Sequence, residues 1–236
     1  QDMSTLHILT VDADLNNALT ITVTDASVDA SDLNALDGKT TVALTTTAVT
    51  TITEAAASVS EVSTAFDNSA STGLAGTEAV TITGAITVAN SNTLDGKTTG
   101  VLTTSISQGD MATLAGVTDA NGNNALTITV TDASVDASAL KTLDTKTTVA
   151  IDTDTNVTQI TGTATNIKDV LEAAGIDTSA TVAANVDSGS ATVNQINDIE
   201  TETNGTITAT VSNQDMATLN TLTADADGNN ALSITV

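Results

Sequence analysis

The stretch Ala125 to Ile151, ALTITVTDASVDASALKTLDTKTTVAI, repeats the stretch Ala18 to Leu44, ALTITVTDASVDASDLNALDGKTTVAL, and this recurrence constrains the fold more than any other feature. From Ala18/Ala125 to Ala43/Ala150 the copies differ only at Asp32/Ala139, Asn34/Lys141, Ala35/Thr142 and Gly38/Thr145. A third copy, ALSITV, starts at Ala231, so the starts lie 107 and 106 residues apart. A unit that recurs at fixed period buries its apolar face on its neighbours rather than on itself. The chain therefore divides into residues 1–17, the end of a preceding repeat; 18–124, a first long repeat; 125–230, a second; and 231–236, the start of a third. It reads as a window on a longer array.

Within a period, two spacings alternate. Apolar residues recur every second position in Leu126, Ile128 and Val130, against Thr127, Thr129 and Thr131. That is a strand with one buried and one wet face. Strands are expected near Leu19–Thr24, Thr41–Thr45, Val80–Val88 and Val101–Ser107, then near Leu126–Thr131, Thr148–Asp152, Thr181–Val186 and Thr206–Ser212. Between them the spacing becomes three and four, as in Leu33 and Leu36, Leu140 and Leu143, or Val193, Ile196 and Ile199, which predicts short helices with narrow apolar stripes. Expected N-cap pairs are Asp29 with Asp32, Ser58 with Glu61, Asn166 with Asp169, and Ser212 with Asp215. Gly38 and Gly96 are expected to close helices as C′ glycines. One unit per period is longer, with helices at Ala55–Phe66 and Asn166–Ala174. Short strands alternating with short helices predict an α/β repeat solenoid of right-handed βα coils with one parallel sheet. A parallel β-helix is the alternative.

Composition narrows the chemistry. The core must be aliphatic: Phe66 is the single aromatic, and there is no Trp, Tyr, Cys or Pro. Phe66 is expected to fill space under the longer helix. The formal charge is −24, from 29 acids against five Lys. Nucleic acid and anionic membrane surfaces are therefore poor partners, and cations good ones. No apolar run reaches the length of a membrane span.

Three matching loops precede the ALTITV strand: DADLNN (Asp12 to Asn17), DANGNN (Asp119 to Asn124) and DADGNN (Asp225 to Asn230). Oxygen-bearing side chains at alternate positions are what Ca²⁺ takes from a tight loop. The candidate metal ligands are Asp12, Asp14 and Asn16; Asp119, Asn121 and Asn123; and Asp225, Asp227 and Asn229. The competing reading is an ordinary turn built from turn residues. Asp152 and Asp154 form a weaker acidic cluster. GKTT at Gly38 and Gly96 lacks the glycine of a phosphate-binding loop and follows a helix instead of preceding one. His7, the one histidine, corresponds to Ala115 and Asn220 in the other copies. There is no Cys nucleophile, no Ser/His pairing repeats, and no matched carboxylate pair falls in an expected cleft, so the chain reads as not an enzyme. The Thr-x-Thr rows (Thr20, Thr22, Thr24; Thr127, Thr129, Thr131; Thr208, Thr210) could present an ordered array to ice or a glycan. Thr is also a good residue for an exposed strand face. Asn156-Val157-Thr158 and Asn204-Gly205-Thr206 match the N-glycosylation sequon.

The DASVDAS…LDGKTTVA units, the tract AVTTIT (Ala48 to Thr53) and the helix KDVLEAAGI together resemble giant repetitive extracellular surface and filament proteins of marine cyanobacteria and other bacteria, which sit near calcium-associated repeats. The resemblance covers nearly the whole chain and rests on repeat style; the calcium-binding nonapeptide GGxGxDxxx is absent. It implies a secreted protein at the cell surface, structural in a filament, surface layer or adhesin stalk. Rods would associate with one another through the Thr-rich face. Alternatives are a calcium-dependent adhesin extender, with Ca²⁺ or surface polysaccharide as partner, and an ice- or glycan-binding Thr array.

Overall fold

The computed structural model describes residues 1–10, 16–212, 215–223 and 228–235. They form an α/β fold of parallel sheets alternating with helices, in two units: Gln1–Ser107 with Val117–Thr127, and Gln108–Gly116 with Ile128–Val236.

The first unit holds α1 (Met3–Leu6), β1 (Ser27–Asp29), α2 (Ala30–Asp37), β2 (Thr51–Ala55), a 3₁₀ turn (Ala56–Ser58), α3 (Ser60–Asp67), α4 (Ser69–Thr72), β3 (Ala79–Ile86), α5 (Val88–Asp95), β4 (Leu102–Ile106) and β5 (Ala125–Thr127). The order along its sheet, β1-β2-β3-β4-β5, is the order along the chain, and every neighbouring pair is parallel. Partners lie 24, 28, 22 and 22 residues apart (Ser27 with Thr51, Thr51 with Ala79, Val80 with Leu102, Thr103 with Ala125). The second unit holds α6 (Met111–Leu114), β6 (Ser134–Asp136), α7 (Ala137–Asp144), β7 (Ile151–Asp152), β8 (Gln159–Gly162), α8 (Ala164–Leu171), β9 (Ile176–Asp177), β10 (Ala183–Val186), α9 (Val193–Glu202), β11 (Ile207–Thr210), α10 (Met216–Leu219) and β12 (Ala231–Ser233). Its main sheet runs β6-β8-β10-β11-β12, again parallel, with spacings of 25, 24, 23 and 23; β7 and β9 make a second, two-stranded sheet.

The core lies between one face of each sheet and the helices. Val28, Ile52, Val80 and Leu102 stand in register as one inward row, and Val135, Ile160, Ala184 and Ile207 as its counterpart; all are buried. Against them pack Ala30, Leu33 and Leu36 of α2 and Ala137, Leu140 and Leu143 of α7, at the three-and-four spacing of the sequence. Each fully buried Leu or Ile contributes about 1.5–3 kcal/mol. Phe66 is buried in α3 as expected.

Six of the eight expected strands form over shorter spans, as β3, β4, β5, β7, β10 and β11, whereas those near Leu19–Thr24 and Thr41–Thr45 do not form. Around Leu19–Thr24 there is only one isolated bridge, Thr22 with Thr45. The ALTITV strand at Ala125 pairs with β4 for three residues, and Thr129 makes an isolated bridge with Asp152. Helix starts also differ. α2 starts at Asp29 as expected, but the caps of α8 and α10 are Thr163 and Asp215, and α3 continues from the 3₁₀ turn with no side-chain cap. Gly38 and Gly96 sit at φ −66 and −75, in right-handed helical geometry rather than the left-handed C′ state. That is why Thr145, at φ −69, serves equally well in the second copy.

Candidate functional site

The loop Asp119–Asn124 is the one candidate metal loop lying wholly within the described residues; Asp12, Asp14, Asp225 and Asp227 lie outside them. Asp119 Oδ1 accepts the N–H groups of Gly122 (2.8 Å) and Asn123 (3.3 Å), and Oδ2 accepts that of Asn124 (3.3 Å). Gly122, at φ 70, provides the left-handed residue of this turn. The neighbouring amides reach back to the turn before β4: Asn121 Nδ2 donates to Thr98 O (3.4 Å) and Asn123 Nδ2 to Thr99 O (3.1 Å). Asn16 is exposed, and Asn229 Nδ2 donates to Asn204 O (3.5 Å). The loop that sequence offered as a cation site thus also ties to the backbone that precedes β4. Among the described residues, no three His, Cys, Asp or Glu side chains converge as a metal site.

Two further sets of residues do the same joining, and sequence reasoning missed both. Asn124 is almost fully buried; its Oδ1 accepts Leu102 N–H (3.3 Å) and its Nδ2 donates to Asp95 Oδ1 (2.9 Å). Asn230 repeats this with Ile207 N–H (2.7 Å) and Glu200 Oε2 (2.8 Å). The only signal was the invariance of NN before each ALTITV copy. The second set is one Thr per coil-closing turn, the first Thr of KTT at Thr40 and Thr98 and the Thr of Glu202-Thr203-Asn204 at the matching place. Thr98 Oγ1 donates to Glu78 O (2.6 Å) and accepts Gly100 N–H (2.9 Å); Thr203 Oγ1 donates to Val182 O (2.6 Å) and accepts Gly205 N–H (2.9 Å). Thr40 makes the same pair of bonds with Leu19 O (2.8 Å) and Val42 N–H (3.1 Å). This Thr therefore ties its turn to the backbone 20 or 21 residues earlier. The glycine after it is required by close approach: a Cβ at Gly100 would lie 2.3 Å from Glu78 O, and one at Gly205 2.2 Å from Val182 O.

Successive helices are tied to one another too. Asn34 Nδ2 donates to Glu61 O (2.9 Å) and Oε2 (2.8 Å); at the matching place Lys141 donates to Asn166 Oδ1 and pairs with Asp169. At the start of α2, Ser31 N–H is shared by two carboxylates, Asp29 Oδ1 (3.0 Å) and Glu54 Oε2 (3.1 Å). Burial pushes the Asp29 carboxyl up from its ordinary range, and the charges of Glu54 and Asp32 add to the effect. By contrast Asp2, Asp110 and Asp215, the exposed N-caps of α1, α6 and α10, are held low by hydrogen bonds. Asp2 falls to about 2, through Ser4 Oγ and then Thr5; Asp110 and Asp215 are lowered by Thr113 and Thr218.

The remaining candidates stand apart from one another. Asp152 Oδ2 accepts from Thr129 Oγ1 (3.2 Å), while Asp154 is exposed in a turn. The His7 ring is exposed, with Nδ1 3.9 Å from Asp32 Oδ1. On the wet sheet face Thr53, Thr81 and Thr103 stand in one row between Asp29 and Ala125; the matching row reads Asp136, Thr161, Asn185, Thr208, Ala231. Thr53 and Thr161 give their hydroxyls to Val28 O and Val135 O. A cavity of about 310 Å³ opens between Thr46–Thr50 and Gly73–Glu78, and one of about 110 Å³ at the matching place, Asp154–Val182. Neither is lined by a nucleophile and base pair. No helix among the described residues is long and apolar enough to cross a membrane. No protein-family model, curated protein or solved structure matches the chain.

Proposed function

We propose that the chain is a structural, non-catalytic repeat segment of a large secreted protein: a βα solenoid that serves as a rod in an extracellular filament, surface layer or adhesin stalk. The observation that carries this reading is where the recurrent polar residues spend their hydrogen bonds. Thr98 and Thr203, Asn124 and Asn230, Asn121 and Asn123 all bond backbone or side chains of the neighbouring coil. Residues that a binding protein would direct outward at a ligand serve here to hold one coil on the next, which is what length and stiffness require. The acidic surface, at −24, keeps such rods soluble. Contacts between rods fall to the wet sheet face, where Thr53, Thr81 and Thr103 are small and neutral. Immunogold electron microscopy of the producing cells tests the reading. Label spaced along thin surface fibres supports it; label confined to the cell interior refutes it.

A calcium-dependent adhesin extender is a second reading, favoured by the acidic surplus and the three Asp/Asn loops. Thermal melts in millimolar Ca²⁺ and in excess chelator separate the two. A Ca²⁺-dependent rise in Tm, lost on Asp119→Ala, favours the extender, and coincident melts remove it. The Thr rows as an ice or glycan array have less behind them, because Ala125 and Asn185 interrupt them.

A further inference from the structure

The two sequons share a longer pattern, acid-Thr-Asn-x-Thr: Asp154-Thr155-Asn156-Val157-Thr158 and Glu202-Thr203-Asn204-Gly205-Thr206. The first period has neither. Asn156 is an inserted residue relative to Thr47-Ala48-Val49, and Asn204-Gly205-Thr206 replaces Thr99-Gly100-Val101. The structure treats the two very differently. At Asn156 the groups a transferase must grip are already spent: the half-buried amide donates to Val130 O (3.2 Å) and Thr158 Oγ1 donates to Ala133 O (3.0 Å). At Asn204 they are free. Asn204 is exposed in the turn between α9 and β11, and neither its side-chain amide nor the Thr206 hydroxyl has a partner among the described residues. Glu202 is exposed at the end of α9, with Thr201 Oγ1 (3.1 Å) on one oxygen and the other open. Thr203, between them, is buried as a clamp, so acid, amide and hydroxyl are displayed from a fixed turn.

We propose that Asn204 is an N-glycosylation site, modified on the folded chain by a transferase that uses a lipid-pyrophosphate-linked oligosaccharide. The Asn204 Nδ2 attacks the anomeric carbon of the donor sugar. The bond from that carbon to the pyrophosphate oxygen breaks, the lipid pyrophosphate leaves with the electron pair, and the amide loses one proton to a base of the transferase. The Thr206 hydroxyl and the Glu202 carboxylate are the handles that hold the turn in place.

The test incubates the folded, full chain with a single-subunit oligosaccharyltransferase and its lipid-pyrophosphate oligosaccharide, and maps the product by peptide mass spectrometry. One glycan at Asn204 and none at Asn156 is expected. Asn204→Gln abolishes modification, and Glu202→Gln slows it about tenfold, the loss of one charge-assisted contact. A free peptide spanning 150–160 is modified, which assigns the protection of Asn156 to the fold. The protein isolated from the organism that makes it carries the same single glycan. A bare Asn204 in either material, or modification of Asn156 at an equal rate in the folded chain, overturns the proposal.

Discussion

Thr46 and Thr153 occupy the same place in the two periods and are both buried, yet replacing each by Val is expected to move stability in opposite directions. Thr153 Oγ1 donates to Asp177 O at 2.7 Å. Opposite Thr46 stands Gly73, in the left-handed region at φ 76, and Thr46 Oγ1 is buried with no hydrogen-bond partner. Val matches Thr in shape, so the substitution changes the hydroxyl and little else. A buried hydroxyl left unsatisfied costs about 1–3 kcal/mol, so Thr46→Val should stabilise the chain by about 1–2 kcal/mol. Thr153→Val loses a made bond, but Asp177 O keeps the Thr153 N–H (2.9 Å) and is not orphaned. Its cost is therefore about 0.5–1.5 kcal/mol. For a chain of this length the two variants should melt roughly 2–8 °C above and 1–6 °C below the parent. Urea unfolding followed by far-UV circular dichroism measures the midpoint, with m required to stay constant. A loss of stability in both variants, of similar size, would refute the reasoning.

Other expectations follow from the same bonds. Asn124→Ala removes the acceptor of Leu102 N–H and the donor to Asp95 inside the fold, and should cost about 2–3 kcal/mol in urea unfolding. Asn16→Ala, in an exposed residue, should move the midpoint little. Ser91, fully buried with an unpartnered Oγ, corresponds to buried Ile196, so Ser91→Ala should raise stability by about 1–2 kcal/mol. Acid unfolding should show two opposed contributions. The depressed N-caps Asp2, Asp110 and Asp215 contribute stability above the ordinary carboxylate pKa that is lost as pH falls through their lowered values. Asp29, raised, gives a contribution present below the ordinary value and lost as pH rises through its higher one, so Asp29→Asn should flatten that limb of a stability–pH curve.

Much of this fold was legible because the periodicities reflect burial directly. Leu33 with Leu36 and Leu140 with Leu143 had to lie on inward helix stripes, and they do. Alternation could not show where a strand changes partner. The pairing of Thr127 with Ser105 and the bridge of Thr129 with Asp152 are made by backbone groups that every residue type carries. Ser27–Asp29 was hidden because Asp29 is both the last residue of β1 and the cap of α2. The Asp119–Asn124 loop was legible as a turn from Asp, Asn and Gly. That its amides reach carbonyls 23 and 24 residues back was not, because a short polar side chain carries the same letter whether it faces solvent or the next coil. The clamp at Thr40 and Thr98 was masked by the resemblance of GKTT to a phosphate loop, and that at Thr203 carried no motif.

The most direct test of a repeat rod is how size grows with repeat number. Small-angle X-ray scattering on this chain and on one with twice as many periods in tandem gives the maximum dimension of each. A solenoid rod predicts that this dimension doubles. Growth by about 1.3-fold, as for a compact body of twice the length, would contradict the account.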